Sequence, residues 1–209
     1  CPLSGEVRDT VQGAIEKLEG KVSSLDEGWP PGVDPVEQYT AYRFFHGSFY
    51  ASFLKDEEFE MLKERAKDQD GSREAFMALA WTAPQKVFQK AHAERVKSRA
   101  AWQRYFETYD VFILPASFTT AFPHDHSLPQ YQRKIPTPEG PRNYQDLYFW
   151  ITFATYNGLP ATVAPIGTSS SNLPIGIQII GPYLEDATPI DVAARTRDLF
   201  GGFKLPSGY

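Results

Sequence analysis

Three short apolar runs in the second half of the chain constrain its fold more than any other feature. The first, at residues 111–114, is bounded by Asp110 and Pro115, and the others lie at 161–165 and 175–180. The run at 111–114 is uninterrupted, which is typical of a strand that is covered on both faces, as in α/β proteins. The sequence therefore predicts an α/β fold in which helices pack on a sheet.

Helical patterns fill most of the chain around these runs. Apolar residues recur at helical spacing in six segments, at 4–20, 34–54, 72–83, 84–105, 144–156 and 188–201. Ser4, Asp34 and Thr188 are the expected N-caps, because their side chains accept hydrogen bonds from free backbone N–H groups. Pro84 is expected to end one helix before another begins. Residues 1–110 are therefore expected to be mainly helical, and residues 111–209 to hold the strands and a terminal helix.

Three other segments differ from this pattern. Residues 21–25 read as a short strand, and residues 55–75 carry charges of both signs and are expected to face solvent. Residues 116–143 contain five prolines and little periodicity, which predicts a long loop. Loops of that length inside a compact domain are usually functional or disordered.

Composition excludes several classes of protein. Of the 209 residues, 26 are acidic and 21 are basic, and this balance argues against a nucleic-acid-binding protein. The one cysteine, Cys1, excludes an internal disulfide framework and a cysteine-rich zinc site. No apolar run approaches the roughly 20 residues of a membrane span. We therefore expect neither a nucleic-acid partner nor a membrane partner.

Three groups of residues could carry chemistry by themselves. Cys1 could act as an N-terminal nucleophile with its own amino group as base. His124 and His126 could share a metal ion, and the serines at 169–171 stand in a polar turn. Each group also has a plain structural interpretation, as a cut chain end, a hydrogen-bonded polar loop and an exposed hairpin tip. A tetrahedral metal site needs a third and a fourth ligand, and the two remaining histidines, His46 and His92, lie on predicted helices, so we expect no metal site. No Gly-x-Ser-x-Gly sequence and no glycine-rich phosphate loop occurs either, so we expect no Ser-His-Asp triad and no cofactor.

Three motifs, in order, are similar to those of a known family. Residues 109–116 (YDVFILPA) resemble the YD-V-LL-P strand of the amidase signature family. Residues 157–167 (NGLPATVAPIG) resemble its N-GLPA---P-G segment, and residues 173–182 (LPIGIQIIGP) its LP-GVQLIGP strand. The resemblance, strongest over about residues 92–202, implies the C-terminal half of an amidase-signature-like fold. Its partial mixed β-sheet, flanked by helices, would include residues 111–115, 161–166 and 175–180.

The resemblance also implies an activity. The family hydrolyses amide bonds with a Ser–Ser–Lys triad, and a glycine/serine-rich loop supplies the oxyanion hole. In family members these groups lie in the N-terminal half, and no Gly-Gly-Ser-Ser-Gly-Gly-Ser stretch occurs in residues 1–209. We therefore assign no catalytic residue to this chain, and the missing initiator Met before Cys1 is expected to mark part of a longer protein.

What the resemblance does imply here is a wall of the acyl pocket. The candidate substrate-binding residues are Phe118, Thr119, Phe122, Trp150, Phe153, Asn157 and Gln178. Other interpretations stay open, because the aromatic side chains can be core residues. Asn157 before Gly158 can end a helix, and Gln178 can tie down a neighbouring loop.

Three hypotheses follow. The first is the C-terminal part of a cytoplasmic amidase that hydrolyses a small-molecule carboxylic amide to an acid and ammonia or an amine. This chain alone would then be inactive, and its partner would be the missing N-terminal half or a second copy in a homodimer. The second is a catalytically inactive amidase-like binding or interaction module. The third is an N-terminal cysteine hydrolase, which predicts that alkylation of Cys1 abolishes activity.

Overall fold

The computed structural model describes residues 1–68, 70–128 and 130–205. Gln69 of the charged stretch, Pro129 of the predicted loop and residues 206–209 lie outside the described residues. The described part combines helices with a small sheet as the sequence predicts, and the α/β fold is confirmed. The helices are α1 (Gly5–Leu18), α2 (Pro35–Tyr50), α3 (Asp56–Arg65), α4 (Arg73–Thr82), α5 (Gln85–Tyr105), α6 (Tyr148–Asn157) and α7 (Ala187–Phe200). The strands are β1 (Phe112–Pro115), β2 (Lys134–Ile135), β3 (Arg142–Asn143), β4 (Ala161–Thr168) and β5 (Pro174–Ile180).

The chain divides into two compact units. The first contains Cys1–Gly28, Gln103–Ala154 and the chain from Gly158 onward, and the second contains Trp29–Trp102 and Thr155–Asn157. Among the described residues, no helix is both long enough and apolar enough to span a bilayer.

The sheet of the first unit has the strand order β1-β5-β4, so the three predicted apolar runs are its three strands. Ile177, Gln178 and Ile179 of the central strand β5 are all at most 5% exposed, as expected for a strand covered on both faces. Both strand pairs are antiparallel, and the described residues include no parallel pair that would make the sheet mixed. Pro165 lies on the outer strand β4, where its missing N–H is tolerated.

One face of this sheet is covered by α1 and α7. Val7 and Ala14 of α1 pack with Ile177 and Ile179 of β5, and Val192 of α7 lies against the same cluster. These side chains form the apolar core that fixes the position of β5 and of the loop that follows β1.

The second unit is helical. The break at Pro84 occurs as predicted, since α4 ends at Thr82 and α5 begins at Gln85. Helices α2 and α4 approach closely at Gly47, where an added Cβ would lie 2.8 Å from the Cβ of Ala80. A side chain at Gly47 would therefore push the two helices apart.

Some local predictions are wrong. Residues 21–25 form turns and irregular structure instead of a strand. All five are exposed, so no buried face stabilises an extended segment there. The helix predicted to begin at Thr188 begins at Ala187, with Asp186 in the N-cap position. The loop 116–143 also contains a short β2–β3 hairpin.

Candidate functional site

A cavity of about 290 Å³ lies in the first unit, where β1 ends and β5 begins. Its lining comes from α1, from the loop after β1 and from the start of β5. The lining residues are Val7, Ala116, Ser117, Thr119, Thr120, Ala121, Phe122, Pro174, Ile175 and Gly176. More than half of the lining residues therefore belong to the 116–122 segment, which sequence analysis placed beside the acyl pocket.

Two backbone hydrogen bonds hold the first part of this segment, at Ala116 and at Phe118. Ala116 N donates to Gly176 O at 3.0 Å, which extends the β1–β5 ladder by one residue. Ser4 N donates to Phe118 O at 2.8 Å and joins the loop to the start of α1. The Phe118 ring is fully buried, and the guanidinium carbon of Arg142 lies 4.5 Å from its centroid. Phe118 is thus the anchor of the loop, behind the cavity wall.

The lining is apolar apart from three hydroxyl groups, those of Ser117, Thr119 and Thr120. Ser117 Oγ accepts a hydrogen bond from Thr119 N at 3.4 Å, which stabilises the turn between them. Carboxylate, imidazole and ammonium groups are absent from the lining that the structure describes. Such a wall can hold and orient a partly apolar group through packing and hydroxyl hydrogen bonds, but it supplies no general acid or base.

Two of the seven predicted site residues, Thr119 and Phe122, line this cavity. The Phe122 ring stands edge-on to Tyr144, with centroids 6.1 Å apart. This contact fixes the aromatic side of the cavity mouth to the segment that precedes α6.

Trp150, Phe153 and Gln178 are not among the lining residues. Phe153 is fully buried, and Gln178, 5% exposed, donates from Nε2 to Trp150 O at 2.9 Å. Gln178 therefore ties β5 to the helix α6 and not to a neighbouring loop. The indole Nε1 of Trp150 is buried without a hydrogen-bond partner in the described structure.

Asn157 lies in the second unit, in a buried hydrogen-bond network. Its Oδ1 accepts from Ser98 Oγ at 2.7 Å, and its Nδ2 donates to Gln38 Oε1 at 3.1 Å. Arg99 Nε donates to Asn157 O at 2.8 Å. Asn157 is fully buried, so these bonds satisfy an amide that would otherwise be costly to bury.

Sequence reasoning did not single out Ser117, Thr120 or Gly176. Ser117 and Thr120 flank Thr119, so the whole turn could have been named. Gly176 carried a stronger signal, since an isolated glycine in a strand often marks a close backbone approach. An added Cβ there would lie 3.0 Å from Ala164 O and 3.2 Å from Val163 Cγ1.

The histidine-containing segment 124–126, which the sequence offered as a possible metal site, makes local contacts. The rings of His124 and His126 are 5.9 Å apart, and Asp125 Oδ1 accepts from both N and Oγ of Ser127. These two hydrogen bonds lower the pKa of Asp125. Over the described residues, no group of three or more His, Cys, Asp or Glu side chains could hold a metal ion.

Ser169 and Cys1 also make local contacts. Ser169 Oγ accepts from Leu173 N at 3.2 Å inside the β4–β5 turn. The thiol of Cys1 accepts from Arg142 Nη2 at 3.0 Å.

Comparison with known proteins identifies likenesses in both sequence and structure. The family described as Amidase matches residues 1–189. A glutamyl-tRNA(Gln) amidotransferase subunit from Exiguobacterium sp. is 30% identical over 96% of this chain and 43% of its own length. The corresponding subunit from Halothermothrix orenii is 33% identical over 91% of this chain and 42% of its own length. The crystal structure of the Thermotoga maritima counterpart superposes with a TM-score of 0.69 at 22% identity, covering 99% of this chain and 42% of that one.

These matches extend over nearly the whole of this chain but less than half of each relative. The chain therefore spans about 42–43% of the length of the curated relatives it matches.

Proposed function

The chain belongs to the amidase family, and we propose that it forms the acyl-pocket wall of an enzyme that hydrolyses a carboxylic amide. The observation that supports this proposal is the cavity at the β1–β5 end, which is lined by Thr119 and Phe122. Its described lining includes no general acid or base. A wall of this kind binds one side of a substrate and leaves the bond-breaking groups to another part of the protein.

The reaction needs an activated nucleophile, and the glycine/serine-rich stretch that accompanies it in the family does not occur in residues 1–209. In amide hydrolysis a base-activated hydroxyl attacks the carbonyl carbon, and N–H donors stabilise the oxyanion. The amine leaves with a proton, and water then releases the acid. We propose that a Ser–Ser–Lys triad outside residues 1–209 performs these steps, because the family's glycine/serine-rich stretch is absent from the sequence.

The proposed contribution of this chain is to bind and orient the acyl group. Phe122 would pack against its apolar part, and the Thr119 hydroxyl would hydrogen-bond a polar atom. Correct orientation alone can lower an activation barrier by several kcal/mol, as a general effect of proximity. We also propose that this part of the protein has no amidase activity by itself.

The first test is an assay of the 209-residue chain on aliphatic and aromatic amides, in which we expect no hydrolysis above background. Measurable turnover by this chain would contradict the proposed division of labour. Alkylation of Cys1 in the same assay tests the cysteine-hydrolase alternative, which requires turnover before the treatment and its loss afterwards.

The second test uses the whole protein encoded by the gene. We expect Phe122→Ala to raise KM about tenfold or more, since a lost aromatic contact in a pocket costs at least about 1–3 kcal/mol. Phe203→Ala is the matched control, because Phe203 is 77% exposed. Equal effects of the two substitutions would argue against the wall assignment.

A second candidate function is that of an amidotransferase subunit. Relatives at 30% and 33% identity are named as subunits of glutamyl-tRNA(Gln) amidotransferase, and this favours an amide whose nitrogen is passed to an acceptor. Ammonia release without an acceptor would support the hydrolase, and release that depends on an acceptor would support the transferase. A gene that begins near Cys1, with no triad upstream, would instead support an inactive amidase-like binding module.

A further inference from the structure

Among the described residues, the side chains of Arg43 and Arg73 in the second unit have no anionic partner. Arg43 of α2 lies against two aromatic rings, with its guanidinium carbon 5.3 Å from the Phe76 centroid and 5.8 Å from the Tyr39 centroid. Arg73 stands three residues before Phe76 in α4, and residues at that spacing share a helix face. Arg73 and Phe76 thus share the face of α4 that lies against Arg43.

Neither positive charge is neutralised by the described residues. Nη2 of Arg73 is buried and has no hydrogen-bond partner in the part of the chain that the structure describes. Among the described residues, no carboxylate lies within ion-pair distance of Arg43 or Arg73. Arg65 of the same unit is different, since it pairs with Asp68 at 3.0 Å and with Asp70 at 2.9 Å.

The two charges also act on each other. Burial is the main cause that lowers the pKa of Arg43, and the positive charge of Arg73 lowers it further, while Tyr39 acts in the opposite direction. Partly buried charges without a partner are costly, and like charges in proximity add to that cost. A bound anion would offset both contributions.

We propose that Arg43 and Arg73 bind an oxyanion, either a carboxylate or a phosphate group. Guanidinium groups present a planar fork of donors that matches the oxygens of both anions. The rings of Phe76 and Tyr39 hold the Arg43 group in place by cation–π contact, so that little side-chain freedom is lost on binding. The site is separate from the cavity at the β1–β5 end and does not depend on amidase activity.

The test measures phosphate binding to the 209-residue chain by ³¹P line broadening and by calorimetry, at constant ionic strength with chloride as the reference anion. We expect saturable binding to the wild-type chain. Arg43→Gln and Arg73→Gln should each weaken it about tenfold or more, because hydrogen bonds to charged groups are strong. Lys90→Gln, which removes the same charge from an exposed position of α5, should leave it unchanged.

Arg73→Lys controls for misfolding of the glutamine variant, because it keeps the positive charge and removes only the planar arrangement of guanidinium N–H donors. It should bind phosphate more weakly than wild type but better than Arg73→Gln, with an unchanged far-ultraviolet circular dichroism spectrum. A parallel titration with acetate identifies the source: binding of acetate points to a carboxylate ligand, and binding of phosphate alone to a phosphorylated one. No saturable binding of either anion, or equal binding by all the variants, would overturn the proposal.

Discussion

Single residues at two helix starts show that a good capping residue is not always the cap. Asp34 Oδ1 accepts from Val36 N and from Glu37 N, both at 2.8 Å, as the sequence predicts. Ser4 makes no side-chain cap hydrogen bond at the start of α1. Instead Glu139, from the loop 116–143, accepts from Gly5 N at 2.8 Å, and this bond lowers the pKa of Glu139. A charged acceptor from a distant segment has taken the place of the local hydroxyl.

We therefore expect Asp34→Ala to lower the free energy of unfolding by about 1 kcal/mol, since it leaves two N–H groups of α2 without their acceptor. Ser4→Ala is the matched control and should change the free energy of unfolding by less than about 0.5 kcal/mol, because no cap bond is lost. Urea titration followed by circular dichroism measures both. Equal losses in the two variants would contradict this account of the caps.

The raised pKa of Tyr105 predicts that the free energy of unfolding falls as the pH rises in the alkaline range. Burial raises its pKa to about 12 from an ordinary value of 10.0, and the phenol of Tyr109 and the carboxylate of Asp26 act in the same direction. A phenol with a raised folded-state pKa contributes stability that is complete below about pH 10 and is lost as the pH rises from there through about 12. Tyr105→Phe should remove this contribution, because phenylalanine does not ionise.

The measurement is the urea midpoint of wild type and Tyr105→Phe at about pH 9 and about pH 11, on either side of the ordinary tyrosine pKa. We expect wild type to lose more stability than the variant between these two values. Parallel decreases in the two proteins would show that Tyr105 does not govern the alkaline transition.

At the scale of whole elements, Gly47 sets the distance between α2 and α4. Its added Cβ would lie 2.8 Å from both Ala80 Cβ and Trp81 Cδ1, closer than side chains tolerate. Gly13 of α1 is a contrasting helical glycine, because its added Cβ would meet nothing within 4 Å. A comparison of alanine substitutions at the two positions therefore distinguishes the effect of packing on stability from the effect of helix propensity.

Gly47→Ala should lower the free energy of unfolding by about 1–3 kcal/mol, since forcing a methyl group into a close helix contact costs more than propensity returns. Gly13→Ala should raise it by about 0.5–1 kcal/mol, the usual gain of alanine over glycine in a helix. Chemical denaturation of both variants tests the contrast. Stabilisation by both substitutions would show that α2 and α4 are less tightly packed than described.

Local patterns were sufficient to predict most of these elements. The run at 111–114, the break at Pro84 and the cap at Asp34 depend on residues close in sequence, and all three occur as predicted. The strand predicted at 21–25 was wrong because a local pattern alone does not provide a partner strand. Antiparallel pairing of β5 with both neighbours likewise follows from contacts between distant segments, which a local pattern does not specify.

At the scale of the whole molecule, the outer strand β4 exposes an apolar side chain to solvent. Ala164 and Ile166 face the core, whereas Val163 on the opposite face is 63% exposed. In the described sheet β4 is also an end strand. Exposed apolar residues at a sheet edge favour association with another chain. We therefore expect this surface to pair with another part of the same protein or with a second copy.

Sedimentation of the 209-residue chain tests this expectation. Wild type should sediment with a mass above the 23.6 kDa of one chain, and Val163→Asp should shift it towards the monomer. Ile190→Asp is the control, since Ile190 of α7 is 58% exposed but lies outside the sheet. A wild-type monomer, or an equal shift in both variants, would contradict a role for β4 in association.

By itself the sequence determined most of the helices and strands, because apolar runs, prolines and caps act over a few residues. Its resemblance to the amidase signature family indicated the loop whose residues line the cavity. Only the tertiary structure decided which candidate residues share a surface. It places Thr119 and Phe122 at a cavity, and Asn157 in a network with Gln38 and Ser98. The physical reason is that burial and hydrogen-bond partners depend on residues far apart in the chain: Asn157 and Gln38 are 119 positions apart. No local pattern encodes such a contact.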